Sequence, residues 1–242
     1  VAYTGPLFVK EVEALSRVVE NVVHPLVFLF GGMRRPETKF DVLSAQLGKA
    51  DNLMVAGVIG NTFLKAAGKA LGKSLYLPEL VEAASDLLQK AENENKSILM
   101  PTDVVCGTSM DDESPAIVKS VDEIESDELV MDIGPETVRV FTKQLSNAKT
   151  VVWSGPMGIV ELEQFANGTS TVAKTIAASD SYSIANGGDT LAYIDSASLN
   201  EKFSHLSTGG GSSLEFMQGK QLPAVVMMEE SARVRYAVER EY

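Results

Sequence analysis

Val151-Val152-Trp153-Ser154-Gly155-Pro156-Met157-Gly158-Ile159-Val160-Glu161 carries the clearest architectural signal in this chain. Val151, Val152 and Trp153 form an apolar, β-prone run, and Gly155-Pro156 stops it abruptly. From Glu161 the spacing turns helical, with Leu162, Phe165 and Ala166 on one side. Strand, turn and helix together make one βα unit. In a parallel sheet the mouth of such a unit, at the carboxyl end of the strand, is where small ligands bind. Glu161 would sit at that mouth, where two readings stay open. It accepts hydrogen bonds from a ligand, or it is only a first-turn acid favoured by the helix dipole.

The same alternation recurs along the chain on either side of this unit. Gly5-Pro6 opens a first helix, with Leu7, Val12, Leu15, Val18, Val19 and Val22 as its apolar stripe. Pro25 leads into Leu26-Val27-Phe28-Leu29-Phe30, apolar on both faces as a central parallel strand should be. Gly31-Gly32 breaks it, and Met33 to Lys39 read as a loop before a helix through Val42 and Leu43. Leu53 to Ala56 and Ser97 to Met100 read as further strands, with helices through Phe63 and through Leu80 to Ala91. Residues 106–128 are acidic and irregular, and are expected to form a surface excursion with short edge strands and a solvated charged face. Beyond the central unit come strands at 181–185 and 203–207, each ending in glycines and a helix, and then a charged tail from Glu229 to Tyr242.

This rhythm predicts a three-layer α/β/α, Rossmann-like domain with a mainly parallel sheet of about six strands. The whole chain, 1–242, reads as one domain: a helical segment over 1–24, an α/β core over 25–223 and a tail over 224–242.

Composition narrows the function. A hydrophobic fraction of 45% supports a continuous core. The net charge of −12 argues against nucleic acid or an anionic membrane as the main partner. It says nothing about a phosphate cleft, which backbone amides can build locally. Cys106 is the only cysteine, so a disulfide framework is excluded and a reducing compartment fits. No apolar run approaches a membrane span and no signal peptide is evident, so a soluble, cytoplasmic protein is expected. The sequence does not start with Met, and Val1 reads as a cut end.

Four strand ends carry glycine: Gly31-Gly32, Gly57, Gly187-Gly188 and Gly209-Gly210-Gly211. Glycine lets the backbone take positive φ and lets a ligand approach closely. Two clusters open helices, at Asp189-Thr190 and Ser212-Ser213, where free amides and the dipole attract phosphate. Each cluster alone is ordinary turn and capping chemistry. Four on one edge, with Arg34, Arg35 and Lys39 beside the first, point to a phosphate site. Gly68 to Ser74 imitates a P-loop but has one residue too few between its glycines and follows a helix. No G-x-G-x-x-G turn follows a strand, which argues against a dinucleotide-dependent dehydrogenase. His24 and His205 lack metal-ligand spacing and read as structural.

Taken together, several segments resemble the C-terminal, nucleotide-binding half of phosphoglycerate kinase. They are Gly5-Pro6-Leu7, Gly31-Gly32, Asn61-Thr62-Phe63-Leu64-Lys65, Asp132-Ile133-Gly134-Pro135, Val152 to Gly158, Gly187-Gly188-Asp189-Thr190 and Ser204 to Gly211. The resemblance implies a site for ATP or ADP with Mg²⁺. Met131, Pro156 and Ile159 would flank the adenine over a floor of Gly31 and Gly57, and Glu161 would hold the ribose. Gly32 and Ser154 would border the nucleotide. Lys39 would meet the phosphates and Asp189 the Mg²⁺-nucleotide. Gly187, Gly188 and Thr190 would receive the phosphate chain, and Gly209, Gly210 and Gly211 the phosphoryl group in flight. Phosphoryl transfer asks the protein mainly for positioning and charge stabilisation, so Arg34, Lys39, Gly187 and Gly210 are the expected catalytic groups.

Three departures from the family stand out. Arg34 takes the place of a lysine, in a loop one residue longer, and arginine is not a compact point charge. Ser154 replaces an asparagine, and Asn186 replaces the first of three glycines, where it is expected to crowd the phosphate turn. The basic patch of the family's N-terminal domain has no counterpart here, so 3-phosphoglycerate is expected only with such a domain. The expected function is glycolytic phosphoryl transfer between 1,3-bisphosphoglycerate and ADP, with a non-catalytic nucleotide-binding or scaffolding fragment as the alternative. The helix over 6–22 would leave an apolar face bare and favour self-association.

Overall fold

The computed structural model describes residues 3–239, with residues 234–239 given by backbone alone. The chain runs α1 (Pro6–Val19), β1 (Leu26–Phe30), α2 (Pro36–Gln46), β2 (Asn52–Val55), α3 (Gly57–Ala66), α4 (Val81–Asn93) and β3 (Ile98–Leu99). An excursion follows with β4 (Asp103–Gly107), β5 (Ile117–Ser120) and β6 (Leu129–Ile133). It returns through α5 (Pro135–Asn147), β7 (Thr150–Ser154), α6 (Asn167–Ala178), β8 (Tyr182–Asn186), α7 (Gly188–Ser196), β9 (His205–Ser207), α8 (Gly211–Met217) and α9 (Pro223–Glu239).

Six strands form a parallel sheet in the order β3-β2-β1-β7-β8-β9. Every residue of β1 and β7 is buried, because helices cover both faces. Alternate side chains point to opposite faces of a strand. Phe28, Phe30, Val152 and Ile184 therefore join one core with α1, α2 and α8. Val27, Leu29, Val151 and Trp153 join the other with α5 and α6. Each such side chain contributes about 1.5–3 kcal/mol when fully buried, so a charge at Val152 would break the first core outright.

A smaller antiparallel sheet, β5-β4-β6, stands beside the main one, with its own apolar cluster of Leu64, Leu71, Val104, Cys106, Val121 and Ile124. Cys106 is fully buried, and burial pushes its thiol up to about 11, which suits an inert packed residue.

The structure corrects several readings. The helix after β7 begins at Asn167 and not at Glu161. Pro156 and Gly158 hold the chain in a loop, a single 3-10 turn spans Glu163–Phe165, and fully buried Phe165 anchors it to the core. Glu161 is therefore a loop residue, and the first-turn reading falls. Lys39 belongs to α2, which starts three residues earlier at Pro36. Residues 129–133 are a strand that the sequence reading did not place, and Cys106-Gly107 extend β4. The acidic face is not wholly solvated: Glu128 is buried against Lys119, with oxygen and nitrogen 2.7 Å apart. In α1 the buried residues are Ala14, Leu15 and Val18, whereas Leu7 is exposed and the helix ends at Val19.

The P-loop imitation at 68–74 is irregular chain folded against the small sheet, where Lys73 N–H donates to the Glu128 carbonyl at 2.7 Å. His24 pairs with Asp51 at 2.6 Å and His205 with Glu11 at 2.9 Å. The charged tail is helical to Glu239, and its last residues, like Val1, lie outside the described residues. None of the described helices is long and apolar enough to cross a membrane.

Candidate functional site

The strand register places Val55, Phe30, Ser154, Asn186 and Ser207 side by side across the sheet. Each is the last residue of its strand, so the glycine turns that follow share one rim. Between β1 and β7 the strand order reverses direction, which opens a crevice at this rim.

Hydrogen bonds tie neighbouring turns together. Gly31 N–H donates to the Ser154 carbonyl at 2.9 Å, and Gly32 N–H to the Pro156 carbonyl at 2.8 Å. Gly155 N–H donates to Thr190 Oγ1 at 2.7 Å. The Asn186 amide donates to the Gly210 carbonyl at 3.1 Å. Its side chain thus links the turn after β8 to the turn after β9, which gives it a bracing role that the expectation of crowding had missed. Gly57 has φ of +55°, and a β-carbon there would stand 2.7 Å from Gly32 N, so only glycine fits.

A cleft of about 300 Å³ opens between the rim and the small sheet. It is lined by Gly57 and Val58 of α3, by Pro156, Met157 and Ile159 of the loop after β7, and by Val130 and Met131 of β6. The loop after β7 is held to β6 because Ile159 N–H donates to the Met131 carbonyl at 2.9 Å. Buried Thr169 steadies the same loop by accepting from Met157 N–H at 2.9 Å. Asp132 forms part of the lining. Its carboxylate accepts from Gly168 N–H at 2.7 Å and Ile133 N–H at 2.9 Å. Burial outweighs those bonds and raises its pKa to about 7.

A second hollow of about 160 Å³ adjoins the cleft, and the two share Gly32, Met33 and Asp189. Here the lining is polar and cationic: Arg34, Arg35, Lys39, Ser154, Asn186, Gly187, Gly188, Thr190 and Gly210. Gly187, with φ of +96°, opens α7, whose N-terminus has no side-chain cap among the described residues. Lys39 is buried and donates from Nζ to the Gly31 carbonyl at 2.6 Å. Burial lowers its pKa to about 8, partly opposed by the charge of Asp189. Arg34 Nε lies 2.9 Å from Asp189 Oδ2. Arg35 has left-handed backbone angles, φ 51° and ψ 53°, at the start of α2, and its guanidinium covers Gly211.

Beneath the 209–211 turn, Glu11 of α1 accepts from Ser207 and Ser213 and pairs with His205. Burial acts to raise the Glu11 pKa, but these bonds and the histidine bring it down to about 2.

Of the residues expected at a site, Gly57, Met131, Pro156, Ile159 and Glu161 line the apolar cleft. Arg34, Lys39, Ser154, Gly187, Gly188, Thr190 and Gly210 line the polar hollow, while Gly32 and Asp189 belong to both. Gly31 lines neither, being covered by the Pro156 carbonyl, so the expected floor is Gly57 without it. Gly209 faces Ser213 and Glu11, and Gly211 lies under Arg35. The residues that sequence reasoning overlooked include Asn61, Met110 and Asp132. Asp132 and Asn61 stand inside segments already singled out, but nothing local shows that they face a cleft.

Among the described residues, no group of three or more His, Cys, Asp and Glu could hold a metal. One carboxylate at the junction, Asp189, suits an ion that arrives with phosphate oxygens as its other ligands, as Mg²⁺ commonly does. A resident all-protein cation site does not fit.

Comparison with known proteins bears on the family and the fold. The family model described as phosphoglycerate kinase matches residues 1–220. Phosphoglycerate kinase of Legionella pneumophila (strain Corby) is 43% identical over 233 residues, 96% of this chain and 59% of that protein. That of Coxiella burnetii (strain RSA 493) is 43% identical over 232 residues, with the same coverage. The solved structure of the Coxiella burnetii enzyme superposes with a TM-score of 0.90 over 94% of this chain and 58% of that one. The structure of phosphoglycerate kinase from Pyrococcus horikoshii OT3, 30% identical, gives 0.83 over 95% and 57%. The chain therefore spans about three-fifths of the length of the relatives it matches.

Proposed function

Since the chain belongs to the phosphoglycerate kinase family, we propose that it is the nucleotide-binding half of a phosphotransferase that works between 1,3-bisphosphoglycerate with ADP and 3-phosphoglycerate with ATP, in glycolysis. One observation carries this reading: an apolar cleft and a cationic, amide-rich hollow meet at Gly32, Met33 and Asp189 on the switch-point rim. A nucleotide has the matching halves, a flat apolar base and a polyanionic tail.

In this reading the base lies in the cleft lined by Gly57, Val58, Met131, Pro156 and Ile159. Glu161 at the cleft edge accepts hydrogen bonds from the ribose. The phosphates follow the rim to the amides of Gly187, Gly188 and Asp189, where the dipole of α7 favours anions. Lys39 turns from the Gly31 carbonyl towards phosphate oxygens, and a phosphate neighbour raises its depressed pKa. Mg²⁺, carried in by the nucleotide and held by Asp189, would neutralise charge on the phosphate oxygens. Asp189 must first release Arg34, which then joins the phosphate-binding groups. The phosphoglycerate acceptor would be presented by an N-terminal domain.

Calorimetric titration with MgADP tests the reading, with micromolar binding expected. Absence of binding at millimolar nucleotide would refute it and favour a scaffolding role. Mixing the chain with a separately made N-terminal domain and following ATP formation from 1,3-bisphosphoglycerate then tests the reaction.

A further inference from the structure

Three cations border the polar hollow, and the structure distinguishes them. Arg34 is paired with Asp189 at 2.9 Å. Lys39 is buried and bonded to the Gly31 carbonyl. Arg35 is exposed and, among the described residues, has no carboxylate partner. Its position is nevertheless specified. A left-handed residue without glycine's freedom begins α2, an unfavourable conformation for any residue that carries a β-carbon. That turn carries the side chain across the hollow to α8. A β-carbon on Gly211 would stand 2.6 Å from Arg35 Nη1 and 2.9 Å from its Cζ, so the bare glycine admits the guanidinium.

The hollow also has a direction. It joins the cleft at Gly32, Met33 and Asp189, and the strand order β1-β7-β8-β9 sets the turn after β9 one strand beyond the turn after β8 that carries Asp189; Gly210 lies in that farther turn, and Arg35 reaches it at Gly211. A nucleotide seated with its base in the cleft brings its first phosphates to the junction and to α7. Only a further phosphoryl group reaches the end where Arg35 lies.

We infer that Arg35, held across the hollow on Gly211, is a catalytic contact to the terminal phosphoryl group of ATP, the same group that is transferred; this rests on the nucleotide reading above. A guanidinium suits the task, because it stays charged and presents several N–H donors in one plane to phosphate oxygens. During transfer the bond from phosphorus to the ADP oxygen breaks as the bond to the acceptor carboxylate oxygen forms. Arg35 donates hydrogen bonds to the non-bridging oxygens throughout, and no proton leaves it. Arg34, by contrast, is paired with Asp189 at the junction until nucleotide releases it, and then meets the phosphates there.

The test is titration of the wild-type chain, Arg35→Ala, Arg35→Lys and Arg34→Ala with MgATP and with MgADP. Arg35→Ala is expected to weaken MgATP about tenfold, or about 1.4 kcal/mol, with MgADP kept within about twofold. Retained MgADP binding shows that the variant is folded. Arg35→Lys should recover part of the loss, and Arg34→Ala should move both nucleotides together. Equal effects of Arg35→Ala on the two nucleotides, or none on either, would overturn the role of Arg35 and leave the nucleotide site standing. An ATP-selective loss in Arg34→Ala alone would do the same. A wild-type chain that binds neither nucleotide would overturn both readings.

Discussion

Lys39→Met should make the protein weaker as a nucleotide binder and no less stable. The lysine is buried, and its pKa falls from 10.5 to about 8 because burial disfavours the charged form. At about 1.36 kcal/mol per pH unit, that gap corresponds to a cost of about 3 kcal/mol at pH 7. Loss of the charged hydrogen bond to the Gly31 carbonyl offsets about 1.5–3 kcal/mol of the relief. The net change at pH 7 therefore lies between about zero and a gain of about 2 kcal/mol. Its pH dependence is the sharper signature. Between about 8 and 10.5 the unfolded chain holds a proton that the folded one has released, so wild-type stability gains with rising pH there. A methionine side chain has no proton to release, and the difference between the two proteins should swing towards the wild type by about 3 kcal/mol across that window. Urea unfolding of both proteins at pH 7 and pH 10.5 measures it, and MgADP titration at pH 7 should show at least a tenfold loss of affinity. A stability difference that stays constant with pH, or a variant that binds MgADP normally, would refute the reasoning.

Gly57→Ala should destabilise by about 2–4 kcal/mol, from left-handed strain together with crowding against Gly32 N at the rim; thermal melting checks the sum, and an unchanged midpoint would contradict it. Asp132 has a folded pKa raised to about 7 from 3.8, so its contribution to stability is complete below about pH 4 and is lost as pH rises through about 7. Asp132→Asn should remove that part of the pH profile, and parallel unfolding profiles for the two proteins would speak against the assignment. Leu7 and Val9 leave apolar surface exposed on α1, so the chain should self-associate and Leu7→Glu should suppress it. Light scattering that finds a monomer at every concentration would count against that expectation.

The fold was legible because its signals are local. β1 and β7 are short apolar runs without alternation, and such runs are stable only where helices cover both faces of a sheet. The glycines after β1, β8 and β9 mark strand ends for the same reason, since a chain that leaves a parallel strand must turn sharply. The strand β6 escaped notice. Its first two residues are only half-buried, and its partner β4 lies more than twenty residues upstream, so neither periodicity nor a hairpin turn announces it. The helix misplaced at Glu161 has a similar cause: Leu162 and Phe165 keep a helical spacing, but they belong to an irregular loop, and of the two only Phe165 is fully buried.

The chemical groups themselves were readable from the residues alone: apolar strands, glycine-bearing ends, three cations near the first turn and a lone acid at Asp189. Those follow from short-range preferences, which survive in any arrangement of the elements. Which of them meet was settled by long-range packing. The strand order sets Gly31 beside Ser154, 123 residues away along the chain. Packing buries Lys39 under that junction, and the close approach of α8 to α2 seats Arg35 on Gly211 while Arg34 pairs with Asp189. Two adjacent arginines are equivalent as residues. A left-handed turn at the second one, and the neighbours it brings within reach, gives them different partners.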